Sequence, residues 1–114
     1  MPILKIFYDE TLDVLVRANR LHIQEGLERM MREVLLADPD HCQVIMSASV
    51  HCTPKPVYVE MQFRAKDHRT QEVLARAMDT IAELMLKALA AGVRIRAFDI
   101  DEAMLHALDV EGEG

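Results

Sequence analysis

The hydrophobic pattern of this chain changes period several times, and each change marks an element. Ile3 to Tyr8 is a short run rich in β-branched and aromatic residues. Pro2, Leu4, Ile6 and Tyr8 fall on one side, and Ile3, Lys5 and Phe7 on the other. Both sides are mostly apolar, which predicts a strand over 3–8 buried on both faces. Asp9-Glu10-Thr11 interrupts it. Residues 12–18 fit two periods: Leu12, Val14 and Val16 alternate as in a strand, while Leu12, Leu15 and Val16 suit a helical turn. From Asn19 the three-and-four spacing of Ile23, Leu27, Met30, Met31, Val34 and Leu35 predicts an amphipathic helix, with Glu25, Glu28, Arg29, Arg32 and Glu33 largely opposite. Pro39 is expected to close it, because proline disfavours helical geometry at Asp38.

Alternation returns at 42–51, with Val44, Met46, Ala48 and Val50 on one face of a second strand. Thr53-Pro54-Lys55-Pro56 reads as a connector, since two prolines cannot both donate to a ladder. The third strand, 57–64, alternates Val57, Val59, Met61 and Phe63 against Tyr58, Glu60, Gln62 and Arg64. A polar turn, Lys66-Asp67-His68-Arg69-Thr70, offers Asp67 and Thr70 as helix caps. A second helix follows over about 70–91, with Gly92 as its expected C′ residue. The fourth strand is 93–99, a short helix is expected at 101–108, and the Glu/Gly tail is expected to fray.

The predicted order is β-α-β-β-α-β, an α+β class in one domain of 114 residues. The two strand-helix-strand halves have similar lengths, which suggests structural duplication. Right-handed crossovers place both helices on one face of a four-stranded sheet. The other face then carries Tyr58, Glu60, Gln62, Arg64, Arg94 and Arg96, as a solvated surface or a subunit interface in which Glu60 offsets an arginine across strands.

Composition narrows the function classes. A net charge of −6 argues against a nucleic-acid partner, which needs a clustered basic surface. No apolar run approaches the roughly 18 residues of a membrane span, and the N-terminus lacks the basic region and cleavage site of a signal peptide. The expected location is cytoplasmic, where the two cysteines are not expected to form a disulfide framework. Eight methionines against five aromatic residues suggest a core of aliphatic side chains with Met filling gaps.

The candidate chemistry lies at the N-terminus. Loss of Met1 would leave Pro2 as a free secondary amine at the mouth of a strand. The opening Met1-Pro2-Ile3, the strand and Arg69-Thr70 turn leading into the second helix, and the following Gly92-Val93-Arg94-Ile95 together resemble the tautomerase superfamily. That superfamily includes macrophage migration inhibitory factor, 4-oxalocrotonate tautomerase (4-OT) and 5-carboxymethyl-2-hydroxymuconate isomerase. The resemblance implies a homotrimer and a small carboxylate substrate. It also implies an isomerase that needs no cofactor, with Pro2 as general base and Arg69 as carboxylate anchor. The second-strand arginine of several members has no counterpart; Gln43 stands nearest, and Arg64 is a candidate to compensate. A non-catalytic trimer of the same fold is the alternative function. A ferredoxin-like module is the alternative fold, to be separated by sheet order.

His41-Cys42 and His51-Cys52 resemble a metal pattern. An extended strand between them would hold the pairs roughly 30 Å apart, at about 3.3 Å per residue, too far for one ion. No metal site is therefore expected. His22, His68 and His106 read as surface residues, with His68 also placed to line a pocket beside Arg69.

Overall fold

The computed structural model describes residues 2–112; Met1 and the last two residues of the tail lie outside the described residues. The sheet is built outward from β1 (Ile3–Asp9). This strand pairs in parallel with β2 (Gln43–Ser49), Ile3 opposite Gln43, and antiparallel with β3 (Val57–Arg64), Ile3 opposite Gln62. β3 in turn pairs in parallel with β4 (Val93–Ile100), giving the order β2-β1-β3-β4. Each strand-helix-strand unit therefore keeps its two strands adjacent. A ferredoxin-like sheet splits them, so the observed order excludes that arrangement.

Helices cover one face, as the strand parity requires. Leu4, Ile6, Tyr8, Val57, Val59, Met61 and Phe63 are buried against Ile23, Leu27, Met30, Met31, Ala77, Ile81, Met85 and Leu89. Each large aliphatic side chain buried there contributes about 1.5–3 kcal/mol. Within the single chain β1 is fully buried on this face only. Ile3, Lys5 and Phe7 on the other remain half-exposed, so the expectation of burial on both faces is not met by one copy of the chain.

The ambiguous stretch becomes α1 (Asp13–Ala18), followed after Asn19 by α2 (Arg20–Glu33). Helix wins because Asp13 is locked into its first turn: its carboxylate accepts from Tyr8 OH at 2.7 Å and from Arg17 Nε at 2.8 Å. Only Val16 of α1 is buried, and Val14 points to solvent. α2 lies close against α3 (Gln71–Leu89) at Gly26, where an added Cβ would stand 2.7 Å from Leu84 Cδ2.

Both long helices end differently from expectation. α2 stops at Glu33, ahead of Pro39. Leu36 then adopts a left-handed φ of 52°, and the Ala37 N–H reaches back to the Met31 carbonyl at 3.0 Å. Pro39 instead opens a 3₁₀ turn, Pro39–His41, capped by Asp38, which accepts from the Asp40 N–H at 3.0 Å. α3 starts as predicted on Thr70, whose Oγ1 accepts from the Val73 N–H at 3.3 Å; Asp67 is not the cap. It ends on Ala90, left-handed at φ 51°, not on Gly92, whose φ is not positive. An added Cβ at Gly92 would meet Lys55 Cδ at 3.2 Å, so this glycine makes room for a side chain. The expected helix at 101–108 shrinks to one 3₁₀ turn, Glu102–Met104. Among the described residues no helix is long and apolar enough to cross a membrane.

Candidate active site

Pro2 stands at the head of β1, the strand with partners on both sides. It is buried, and its carbonyl accepts the Gln43 N–H at 3.0 Å, which extends the β1–β2 ladder by one bond. β3 runs antiparallel to β1, so its last residue, Arg64, lies just past the β1 start. The turn after it folds back through Arg69 N–H to Lys66 O at 2.9 Å. The chain leaving α2 completes the enclosure with Leu36, Ala37 and Asp38.

Arg69 ties these pieces together. Its Nη1 donates to the Arg64 carbonyl at 2.9 Å and its Nε to the Leu35 carbonyl at 3.2 Å. His68 Nε2 donates to the same Leu35 oxygen at 3.1 Å. Carbonyls at and beyond a helix C-terminus lack intrahelical donors and carry the negative end of the helix dipole, so a guanidinium satisfies them well. Burial pushes the Arg69 pKa down, opposed by Cys42 and Asp99, yet a guanidinium stays charged in proteins. The two carbonyls take two of its five N–H donors.

The resulting cavity of 200 Å³ is lined by Pro2, Leu36, Asp38, Arg64, Lys66 and Arg69, and also by His41 and His68. Among the described residues Arg64, Lys66 and Arg69 bring positive charge to this cavity and Asp38 negative charge, a balance that favours anions over a further positive charge. Cys42 lies behind this wall. Its Sγ donates to the Asp38 carbonyl at 3.3 Å, and burial pushes the thiol pKa up despite Arg69.

No family model matches the sequence, and no curated protein matches it. Solved structures do. A fused wild-type 4-OT symmetric trimer superposes with a TM-score of 0.74 at 15% identity, covering 92% of this chain and 90% of its own. A macrophage migration inhibitory factor-like protein from Entamoeba histolytica gives 0.71 at 10% identity, covering 93% and 94%. A 5-carboxymethyl-2-hydroxymuconate delta-isomerase gives 0.63 at 19% identity, covering 97% and 89%. The chain has the tautomerase fold.

Within this tautomerase fold, Pro2, Arg64 and Arg69 come to one cavity, and Gln43 does not. The Gln43 side chain borders a separate 290 Å³ groove between α2 and β2, with Gln24, Glu28 and Met46. The Gln43 backbone N–H is the group that donates to the Pro2 carbonyl. Lys66 and Asp38 were not singled out from sequence as site residues. Lys66 was visible as the first residue of the polar turn, whereas Asp38 enters only because α2 ends early. Among the described residues no group of three or more His, Cys, Asp or Glu side chains is arranged to hold a metal ion.

Proposed function

We propose that this chain is an isomerase of the tautomerase type, active as a homotrimer in the cytoplasm on a small enol or 2-hydroxymuconate-type carboxylic acid. The observation that carries the reading is the shared cavity of Pro2, Arg64 and Arg69. Removal of Met1 turns Pro2 into a secondary amine, and an α-amino group ordinarily titrates near about 7.7–8.0. Burial and the neighbouring cations disfavour its protonated form, against the pull of Asp38, which is the direction a base working near neutral pH needs.

The step balances without any other reagent. The neutral amine takes the proton of the enol O–H, and the O–H electron pair becomes the C=O π bond. The conjugated double bonds shift, and the prolinium returns the proton to a carbon of the substrate. Arg69 and Arg64 hold the carboxylate and stabilise the negative charge that develops on oxygen. The clamp on Arg69 lowers the freedom it loses when it binds substrate.

The trimer reading rests on the uncovered sheet face. Lys5 Nζ meets Glu60 Oε2 at 3.7 Å, Arg96 is opposite Glu60, and Ile45 and Phe98 stand exposed on the two edge strands. Glu60 between Lys5 and Arg96, with apolar side chains on the edge strands, suits burial against further copies. Intact-mass spectrometry tests the first requirement, since a retained Met1 defeats the base role. Turnover of phenylenolpyruvate or 2-hydroxymuconate, abolished in Pro2→Ala, supports the reading; an undiminished rate in Pro2→Ala defeats it. A monomer by light scattering removes the trimer. A tightly folded trimer with Met1 cleaved and no turnover would favour the non-catalytic alternative, consistent with the hold of two backbone carbonyls on Arg69.

A further inference from the structure

Two side chains that line the Pro2 cavity meet on one backbone oxygen. The Leu35 carbonyl accepts from Arg69 Nε at 3.2 Å and from His68 Nε2 at 3.1 Å. Leu35 is fully buried and lies just past the end of α2, where Leu36 turns left-handed at φ 52°. Its carbonyl is therefore outside the helical ladder and meets donors from the 66–70 turn instead. A carbonyl oxygen carries two lone pairs, so His68 and Arg69 together use both. Because the acceptor is a carbonyl, His68 Nε2 must carry the proton, which fixes the tautomer of the neutral ring.

The consequence falls on Arg69. A guanidinium has five N–H donors. Nε is spent on Leu35 and one Nη1 hydrogen on the Arg64 carbonyl at 2.9 Å, which leaves three of the five. The Nε–H and a neighbouring Nη–H of a guanidinium run parallel, a fork that can close on a single acceptor oxygen as well as on a carboxylate. A Leu35 oxygen with a vacant lone pair would draw a second Arg69 N–H onto itself and away from the cavity. His68 occupies that lone pair. The task asks for an N–H at this point and not for the charge of an imidazolium. His68 is exposed in its turn, so replacing it opens no hole in the core.

We propose that His68 is a positioning residue for Arg69: it holds the guanidinium to one N–H on Leu35 and keeps three for a substrate carboxylate. The proposal rests on the reading of Arg69 as the carboxylate anchor and extends it to the group that sets its geometry. His68 then acts on substrate binding and takes no part in proton transfer.

The probe is fumarate, which has carboxylates to bind and no enol proton to move. It is titrated into the intact ¹⁵N-labelled protein and followed at the Arg69 Nε–H signal, identified by its loss in Arg69→Lys. The readout is local, so fumarate held at another cationic surface does not register. In His68→Ala the dissociation constant at this signal should rise about five- to tenfold, part of the worth of one charge-assisted hydrogen bond. His68→Gln, whose amide N–H can reach the same oxygen, should restore most of it. In turnover assays KM should rise in parallel in His68→Ala, with kcat held within about twofold. An unchanged dissociation constant in His68→Ala overturns the proposal, and so does equal weakening in the Ala and Gln variants. A fall in kcat with KM unchanged overturns it too, as does a parent protein whose Arg69 signal ignores fumarate. Turnover by the parent that His68→Ala leaves untouched removes this role and leaves the isomerase reading standing. Conversely, fumarate binding that weakens in His68→Ala and recovers in His68→Gln supports the role even if no enol acid is turned over.

Discussion

β1 and β3 each begin directly after a proline, Pro2 and Pro56, and each half closes its long helix with a left-handed residue that is not glycine, Leu36 or Ala90. A cationic cavity lies near the start of each strand: Arg64, Lys66 and Arg69 line the one that includes Pro2, and Lys55 and Arg94 line one that includes Pro54 but not Pro56. The halves differ in what the proline nitrogen can become. Removal of Met1 would free the first, while the second is fixed in the chain between Lys55 and Val57. A duplicated scaffold can therefore repeat a binding environment, but a terminal amine arises at one end only. The left-handed residues differ as well: Leu36 borders the Pro2 cavity, whereas Ala90 is remote from it.

The largest effect should separate the two prolines. Pro2→Ala is expected to lower turnover about 10²–10⁴-fold, the usual worth of a positioned general base. Pro56→Ala should leave the rate unchanged; equal losses in steady-state assays would break the distinction between the halves. Arg69→Ala should cost about 2 kcal/mol, because the Leu35 and Arg64 carbonyls lose a charged donor. A drop of roughly 10 °C in melting temperature would register it. Arg69→Lys should not restore the stability, since an ammonium cannot reproduce the planar fork.

Tyr8→Phe probes the corner that anchors the first half, with an expected loss of about 1 kcal/mol near neutral pH. The pH profile gives the sharper reading. Tyr8 and Arg17 hold the Asp13 carboxyl below its ordinary value, so that stabilisation is present above the ordinary carboxylate range and is lost as pH falls through the depressed folded value. Burial, aided by the Asp13 hydrogen bond, pushes the Tyr8 pKa up, so its contribution is full below pH 10.0 and is lost as pH rises through the folded value. Melting temperatures of Tyr8→Phe should therefore vary less with pH at both extremes than those of the parent chain. The smallest effect compares the helix ends: Ala90→Gly should stabilise by about 0.5 kcal/mol through relief of the left-handed conformation. Leu36→Gly should relieve the same strain yet lower activity, because it removes a wall of the Pro2 cavity.

Much of the fold was legible because its signals are local. Val57–Arg64 alternates so cleanly that its bounds and both faces could be read directly, and Thr70 is a cap by chemistry alone. Pro2, Arg64 and Arg69 were candidates in the sequence and line one cavity, which Asp38 and Lys66 join without having been candidates. Gln43 was placed by counting along a strand, but its side chain borders the α2–β2 groove. Gly92 looked like a helix terminator on spacing, while its use is to admit Lys55 from a segment 37 residues earlier.

By itself the amino-acid sequence determined the periods, and with them the strands, the two long helices and the residues that share each face, because those depend on neighbours one to four positions apart. It also placed a proline second, where loss of Met1 would expose its nitrogen. Tertiary structure decided the sheet order, the early end of α2 and the gathering of Pro2, Arg64, Lys66 and Arg69 around one cavity. Those outcomes depend on which strands pair and on which distant donor reaches the Leu35 carbonyl, and no local period encodes either.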